Sequence, residues 1–117
     1  MKIREIKDVL NAEVVCGEEN LDNEVCSACA SDMMSDVLAF VKDQAVLITG
    51  LSNPQVVRTA LMMDMQCILF VRGKKPDKFT VQLAKEKGIV ILSSNYRMYL
   101  ACGILYKSGL DGGSKDV

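Results

Sequence analysis

Residues 45–55 (AVLITGLSNPQ) constrain the fold of this chain more than any other segment. The segment begins with four apolar residues at 45–48, which is typical of a strand in a sheet that is covered on both faces. Asn53 then follows as a good helix N-cap, and Pro54 occupies a position that the first turn of a helix tolerates. The segment therefore predicts a buried strand that leads directly into a helix.

Short apolar runs alternate with segments of helical spacing along the rest of the chain. The predicted strands cover residues 12–16, 25–30, 45–48, 67–71 and 89–92. The predicted helices cover residues 3–10, 33–42, 54–63, 76–87 and 96–106. Because strands and helices alternate from residue 25 onward, we predict a three-layer α/β/α fold with a mostly parallel sheet of about five strands. We assign residues 1–110 to a single domain and residues 111–117 to a flexible C-terminal tail.

Composition and charge argue against several classes of function. A net charge of −1 and a pI near 5.4 do not fit the basic surface of a nucleic-acid-binding protein. No apolar run approaches the length of a membrane span, and the N-terminus lacks the apolar core of a signal peptide. The odd number of cysteines, five, fits a reducing compartment better than a disulfide framework. We therefore expect a cytoplasmic protein that binds neither nucleic acid nor membranes.

The absence of histidine lowers the expectation of catalysis, since histidine is the commonest general base and zinc ligand. Cys26 and Cys29 have the spacing of a redox or metal pair. However, a predicted strand directs them to opposite faces, and no second pair accompanies them. We interpret both thiols as structural, and we expect no bound metal, no cofactor and no catalytic residue.

The loops that follow the predicted strands indicate a ligand site. In a parallel sheet such loops meet at one edge, where ligands bind. The loop after residue 48 directs unpaired N–H groups and the positive end of a helix dipole to one point, which favours an anion, and residues 72–75 add basic side chains. The candidate residues for an anion or nucleotide are Ser31, Asp32, Thr49, Gly50, Asn53, Arg58, Arg72, Gly73, Lys74 and Ser93.

Two classes of function remain open from these residues. The first is a regulatory or scaffolding domain that docks a partner protein and is gated by a small anionic ligand. The second is a small enzyme or phosphoacceptor in which Asp32, Asp36 or Ser31 reacts. Arg58 or Lys74 would then stabilise the developing charge. The spacing of a P-loop is absent, which argues against a kinase.

The last predicted helix is apolar over much of its circumference. Met98, Cys102 and Leu105 form one stripe, and Tyr99, Gly103 and Tyr106 form a second beside it. A helix of this kind must be buried on two sides, and one sheet face covers only one of them. We therefore predict a homodimer. Its candidate interface residues are Tyr96, Tyr99, Gly103 and Tyr106.

Five blocks of the sequence resemble the DRTGG domain family. They are residues 30–38 (ASDMMSDVL), 45–50 (AVLITG), 53–60 (NPQVVRTA), 70–76 (FVRGKKP) and 102–106 (CGILY). Their order and spacing are similar to those of the short, stand-alone branch, and the resemblance covers about residues 1–110. Leu51 stands where the family name records a second glycine.

The resemblance implies a three-layer regulatory domain that dimerises and is not a catalyst. Relatives of the family lie between CBS domains in regulated pyrophosphatases, in some phosphate acetyltransferases and at the N-terminus of HPr kinase/phosphorylase. Stand-alone members are often encoded beside genes for iron-only hydrogenases and anti-sigma-factor-like kinases. The resemblance thus implies an adenine nucleotide or another anionic metabolite as ligand, and a protein partner in a hydrogenase-linked or signalling context.

Overall fold

The computed structural model describes residues 1–40 and 44–113, and within them five strands form one sheet. The strands are β1 (Glu13–Cys16), β2 (Ser27–Ala30), β3 (Ala45–Thr49), β4 (Cys67–Phe70) and β5 (Val90–Ser93). The helices of the same residues are α1 (Ile3–Val9), α2 (Met34–Leu38), α3 (Pro54–Met62), α4 (Lys78–Lys87) and α5 (Met98–Lys107). A 3-10 helix at Glu18–Asn20 follows β1.

The strands lie in the order β1-β5-β4-β3-β2. The pairs β2–β3, β3–β4 and β4–β5 are parallel, whereas β1 pairs with β5 in the antiparallel sense. The antiparallel pair contains an irregularity between Val14 and Cys16, and a bulge of this kind is common in an edge strand. The predicted mostly parallel sheet is confirmed.

Helices cover both faces of the sheet. Alternate residues of β3 point in opposite directions, so that Val46 and Ile48 pack with α1 and α5, while Leu47 packs with α2, α3 and α4. Every residue of β3, β4 and β5 is buried. This burial explains why these strands are continuous apolar runs rather than alternating ones. The predicted three-layer α/β/α fold is confirmed.

The start of α4 differs from the prediction. Asp77 caps this helix by accepting a hydrogen bond from the Thr80 N–H at 2.8 Å, and that bond lowers the pKa of the Asp77 carboxyl. Thr80 and Ala84 form the buried face of α4. The spacing of the sequence predicts that Phe79, Leu83 and Ala84 face inward, and for Phe79 this prediction is wrong, because its side chain is 60% exposed. The next residue, Thr80, faces the core instead, and adjacent residues lie about 100° apart around a helix.

Two predicted boundaries involve residues outside the described ranges. The predicted helix 33–42 appears as Met34–Leu38, and its residues 41 and 42 are not described. The boundary of the domain at residue 110 remains a prediction, because residues 114–117 are not described. Just beyond that boundary, the carbonyl of Asp111 accepts a hydrogen bond from the Ala28 N–H at 2.8 Å, on the outer edge of β2.

Within the described ranges, every helix is too short or too polar to cross a lipid bilayer.

Gly17 connects β1 to the 3-10 helix in a position that requires glycine. Its φ is +90°, a conformation that residues with a Cβ rarely adopt. A Cβ at this position would lie 2.7 Å from the Cα of Val90, a backbone atom of the buried strand β5. The close approach of Gly17 to β5 therefore leaves no room for a side chain.

We expect Gly17→Ala to destabilise the domain by about 2–5 kcal/mol, from backbone strain of about 1–2 and overpacking of about 1–3. The matched control is Gly109→Ala, since Gly109 also has a positive φ but no atom lies within 4 Å of its added Cβ. Gly109→Ala should therefore lower the free energy of unfolding only by the backbone strain, about 1–2 kcal/mol. Urea unfolding followed by circular dichroism measures both values, and equal losses would contradict the steric explanation.

Candidate ligand site at the carboxyl edge of the sheet

The parallel register brings the ends of β2, β3, β4 and β5 to one edge of the sheet. Ala30 pairs with Ile48, and Thr49 with Phe70. The hydrogen bonds continue beyond the strands, from the Ser31 N–H to the Ile48 carbonyl at 3.0 Å and from the Val71 N–H to the Thr49 carbonyl at 3.1 Å. The loops that carry the predicted ligand residues are therefore neighbours, as the sequence indicated.

The Asp32 carboxylate occupies the turn that follows β3. Its Oδ1 accepts hydrogen bonds from the Gly50 N–H at 2.7 Å and from the Thr49 hydroxyl at 3.0 Å. The Thr49 Oγ1 in turn accepts a hydrogen bond from the Leu51 N–H at 3.1 Å. The N–H groups of Gly50 and Leu51, which were expected to be unpaired, are thus already satisfied by side chains of this chain, and a negative charge lies where an anionic ligand was predicted.

Ser31 shapes the turn that places Asp32. Its Oγ accepts a hydrogen bond from the Met33 N–H at 3.0 Å, which closes a short turn before α2. Asp36 lies in the first turn of α2, is exposed, and makes none of the contacts to the β3 turn. Of the three groups considered as phosphoacceptors, only Asp32 contacts the loop after β3.

Arg72 lies over the same turn from the other side. Its backbone has a φ of +60°, and its N–H donates to the Tyr96 carbonyl at 2.8 Å. The guanidinium Nη2 lies 3.5 Å from the Gly50 carbonyl oxygen, and a Cβ on Gly50 would overlap this guanidinium. The small size of Gly50 therefore makes room for the Arg72 guanidinium.

The loop after β4 is held in place from β5. The Ser93 hydroxyl, which is buried, donates to the Lys74 carbonyl at 2.8 Å. The Gly73 N–H donates to the Ser94 carbonyl at 2.8 Å, and Gly73 has a φ of +67° that suits glycine. Ser93 and Gly73 thus orient the basic loop, while the side chain of Lys74 is exposed.

Asn53 and Arg58 complete the set of predicted ligand residues. Asn53 caps α3 by accepting a hydrogen bond from the Gln55 N–H at 3.0 Å, as predicted. Arg58 lies further along α3 and is exposed. Over residues 1–40 and 44–113, Arg58, Arg72 and Lys74 form no ion pair with a carboxylate.

Two contacts at this edge were not predicted from the sequence. Glu13 reaches the edge because β1 is antiparallel and pairs it with Ser93, and it forms an ion pair with Lys75 at 2.8 Å. Ser94 is buried, and its hydroxyl donates to the Leu10 carbonyl at 2.9 Å. The two consecutive serines after β5 were the feature of the sequence that could have indicated a role for Ser94. No local feature indicated Glu13, because its position depends on the direction of β1.

The predicted second stripe of α5 faces outward. Tyr99 is 91% exposed and Tyr106 is 68% exposed, and together with Leu100 they border a shallow groove over Gly103. The first stripe packs on the core through Leu105, and Tyr96 also packs there rather than joining the outer face. Homodimerisation through this surface remains a prediction.

The cysteine pair is divided between two environments. Cys26 precedes β2 and is exposed, and its thiol donates to the Gln44 Oε1 at 3.3 Å. Cys29 is buried within β2, and burial raises the pKa of its thiol, which makes it less reactive. Among the described residues, no three cysteine or carboxylate side chains form a group that could hold a metal ion. The expected absence of a metal remains a prediction.

These features define a three-layer α/β/α domain with its polar loops gathered at the carboxyl edge of the sheet. The DRTGG domain family matches residues 5–107, and the chain belongs to this family. No curated protein matches the sequence.

A solved structure shares the fold. It comprises the CBS and DRTGG domains of the regulatory region of Clostridium perfringens pyrophosphatase, complexed with the activator diadenosine tetraphosphate. The superposition has a TM-score of 0.72 at 18% sequence identity and covers 92% of this chain but 46% of the other. This chain thus corresponds to slightly less than half of that regulatory fragment.

We expect Asp32→Ala to lower the free energy of unfolding by about 1–3 kcal/mol, because it removes a charged acceptor from the Gly50 N–H and the Thr49 hydroxyl. Asp36→Ala is the matched control, since it removes the same charge four residues away without breaking these bonds. It should change stability by less than about 0.5 kcal/mol. Urea unfolding of the two variants measures the difference, and equal effects would show that the Asp32 contacts add nothing.

Proposed function

We propose that this protein is a non-catalytic regulatory domain that binds a phosphate-bearing metabolite at the carboxyl edge of its sheet and acts as a homodimer. The observation that carries the ligand proposal is the Arg72 guanidinium, which lies 3.5 Å from the Gly50 carbonyl oxygen and has no carboxylate partner in the described part of the chain. Two further exposed cations without such a partner there are Arg58 on α3 and Lys74 in the loop after β4. Phosphate oxygens are strong acceptors for such groups.

The position of α3 supports the same ligand class. This helix begins at Pro54, and its N-terminus lies beside the turn that carries Gly50. The positive end of its dipole adds to the charge of Arg72. An adenine nucleotide is our first candidate, since the pyrophosphatase regulatory region with the same fold binds diadenosine tetraphosphate.

The contacts of the polar residues favour regulation over catalysis. The Asp32 carboxylate is engaged by two donors, and the Ser31 hydroxyl is engaged in a turn. The chain also has no histidine to act as a general base. A phosphoacceptor role for Asp32, Asp36 or Ser31 is therefore the weaker alternative.

Arg72→Ala should weaken nucleotide binding about tenfold or more, because a charge-assisted contact contributes about 1.5–3 kcal/mol. Titration calorimetry with ATP and with diadenosine tetraphosphate measures the effect. Lys87→Ala is the charge-matched control, since Lys87 ends α4 at the opposite edge of the sheet, and it should leave affinity unchanged. An equal loss in both variants would point to unspecific charge attraction.

Gly50→Val tests the contact between Gly50 and Arg72 in the same assay. The new side chain should displace the guanidinium and weaken binding as much as Arg72→Ala does. The two changes combined should then cause no further loss, because both act through one group. If Gly50→Val binds the nucleotide as tightly as the native chain, the Gly50–Arg72 contact is not part of the binding site.

We propose that the dimer forms through α5. Tyr99 and Tyr106 border the groove over Gly103, and no atom lies within 4 Å of a Cβ added there. A second copy related by two-fold symmetry can place an aromatic ring from one α5 over the glycine of the other. Tyrosine suits such an interface because its ring is apolar and its hydroxyl is polar.

Tyr99→Asp should produce folded monomers, because a charge repeated on both sides of a two-fold interface would be buried twice. Light scattering should give about twice the chain mass of 12.8 kDa for the native protein and the single mass for the variant. Phe79→Asp is the control, since Phe79 is an exposed aromatic residue on α4, on the other face of the sheet. A native monomer at tens of micromolar would end the proposal.

The cellular setting is proposed from the family resemblance. We infer that the protein acts in the cytoplasm and that its dimer docks a protein partner in a hydrogenase-linked or signalling context. We also infer from the family resemblance that the chain is related to the N-terminal domain of HPr kinase/phosphorylase. Affinity purification of the tagged protein from its native cells, with Tyr99→Asp as the comparison, would identify such a partner.

A further inference from the structure

The Asp32 carboxylate holds the hydrogen-bond donors that an anionic ligand would use at the β3 turn. The Gly50 N–H and the Thr49 hydroxyl both point to Asp32 Oδ1, at 2.7 and 3.0 Å. These are backbone and side-chain donors at the carboxyl end of a central strand, where ligands of α/β sheets bind. The turn therefore already holds an anion, the carboxylate of Asp32.

We propose that Asp32 determines ligand selectivity by competing for this site. A phosphoryl group reaches the Gly50 N–H and the Thr49 hydroxyl only after the Asp32 carboxylate leaves them, since two anions at one pair of donors repel each other. Every ligand must therefore offset the loss of the two hydrogen bonds of Asp32. This inference rests on the proposed binding of phosphate-bearing ligands at the same edge.

The competition discriminates between ligands by the number of contacts that each can make. Inorganic phosphate is small, and its contacts at the turn only replace those of Asp32. A polyphosphate such as ATP is longer and can contact Arg72 and Lys74 with its other oxygens while one phosphoryl group occupies the turn. The site should consequently reject inorganic phosphate and accept nucleotide polyphosphates.

Asp32 is also placed so that it can leave. It is exposed and belongs to the short segment between β2 and α2. The Thr49 hydroxyl and the Gly50 N–H, in contrast, belong to buried residues at the end of β3. The donors thus stay fixed while the competing carboxylate is on the more accessible side.

Calorimetric titration with inorganic phosphate and with ATP tests the proposal on four proteins. They are the native chain, Asp32→Ala, Asp36→Ala and the double variant Asp32→Ala/Thr49→Val. Asp32→Ala should bind inorganic phosphate about tenfold or more tightly than the native chain, which corresponds to the loss of one charged competitor. The double variant should lose most of this gain because the freed hydroxyl is absent.

Asp36→Ala separates the competition from net charge, since it removes a nearby carboxylate that contacts neither donor. A gain in Asp36→Ala equal to that in Asp32→Ala would overturn the proposal. The Gly50 amide resonance in proton–nitrogen spectra gives a second measurement. It should shift on addition of phosphate in Asp32→Ala and stay in place in the native chain.

The outcomes distinguish this inference from the proposed function. If the native chain binds ATP and Asp32→Ala shows no gain for phosphate, the selectivity role fails and the ligand proposal stands. If folded native and variant proteins bind neither compound, both proposals fail. If Asp32→Ala does not fold, Asp32→Asn takes its place, because it removes the charge but keeps an acceptor oxygen, and it should still show tighter phosphate binding.

Discussion

The parallel pairing of β2, β3, β4 and β5 brings the loops with the predicted ligand residues together. Each strand of this part of the sheet runs in the same direction, so all of its carboxyl ends meet at one edge. The pairing also buries β3 and β4 on both faces, and their backbone groups must therefore be satisfied within the sheet. The loops after the strands lie side by side in the same order as the strands, because N–H groups at the start of these loops continue the hydrogen bonds of the sheet.

Opposite charges share this edge without neutralising one another completely. Asp32 and the Glu13–Lys75 pair are satisfied by contacts within the chain. Among the described residues, the Arg72 guanidinium donates a long hydrogen bond of 3.5 Å to the Gly50 carbonyl oxygen and pairs with no carboxylate. An edge of this kind suits a regulatory domain, since a ligand can exchange one set of contacts for another without a large change in the fold.

The helix α5 connects the core to the outer surface. Its inner residues Ala101 and Leu105 are buried against the sheet, while Tyr99 and Tyr106 are exposed on the opposite side. The carbonyl of Tyr96, which precedes this helix, accepts the hydrogen bond from the Arg72 N–H. The basic loop and the helix of the proposed dimer surface are therefore in contact through the backbone of Tyr96.

Local patterns of residues were sufficient to predict the order of strands and helices along the chain, the three layers and the polar edge. This was possible because residues 45–48 and the cap at Asn53 are local signals, and period and capping depend on neighbouring residues alone. Phe79 shows where prediction from local spacing fails. The apolar spacing of α4 fits two orientations of the helix that differ by one residue, and the structure has the orientation in which Phe79 is exposed.

The contacts between groups at that edge could not be predicted in this way, because they depend on how the whole chain folds. Asp32 and Gly50 are 18 residues apart, and their hydrogen bond exists because β2 and β3 pair in one particular register. Glu13 reaches the edge through an antiparallel strand whose direction no local pattern encodes. Register and strand direction arise from the packing of the whole chain, and so the sequence predicted an unoccupied anion site where the fold places a carboxylate.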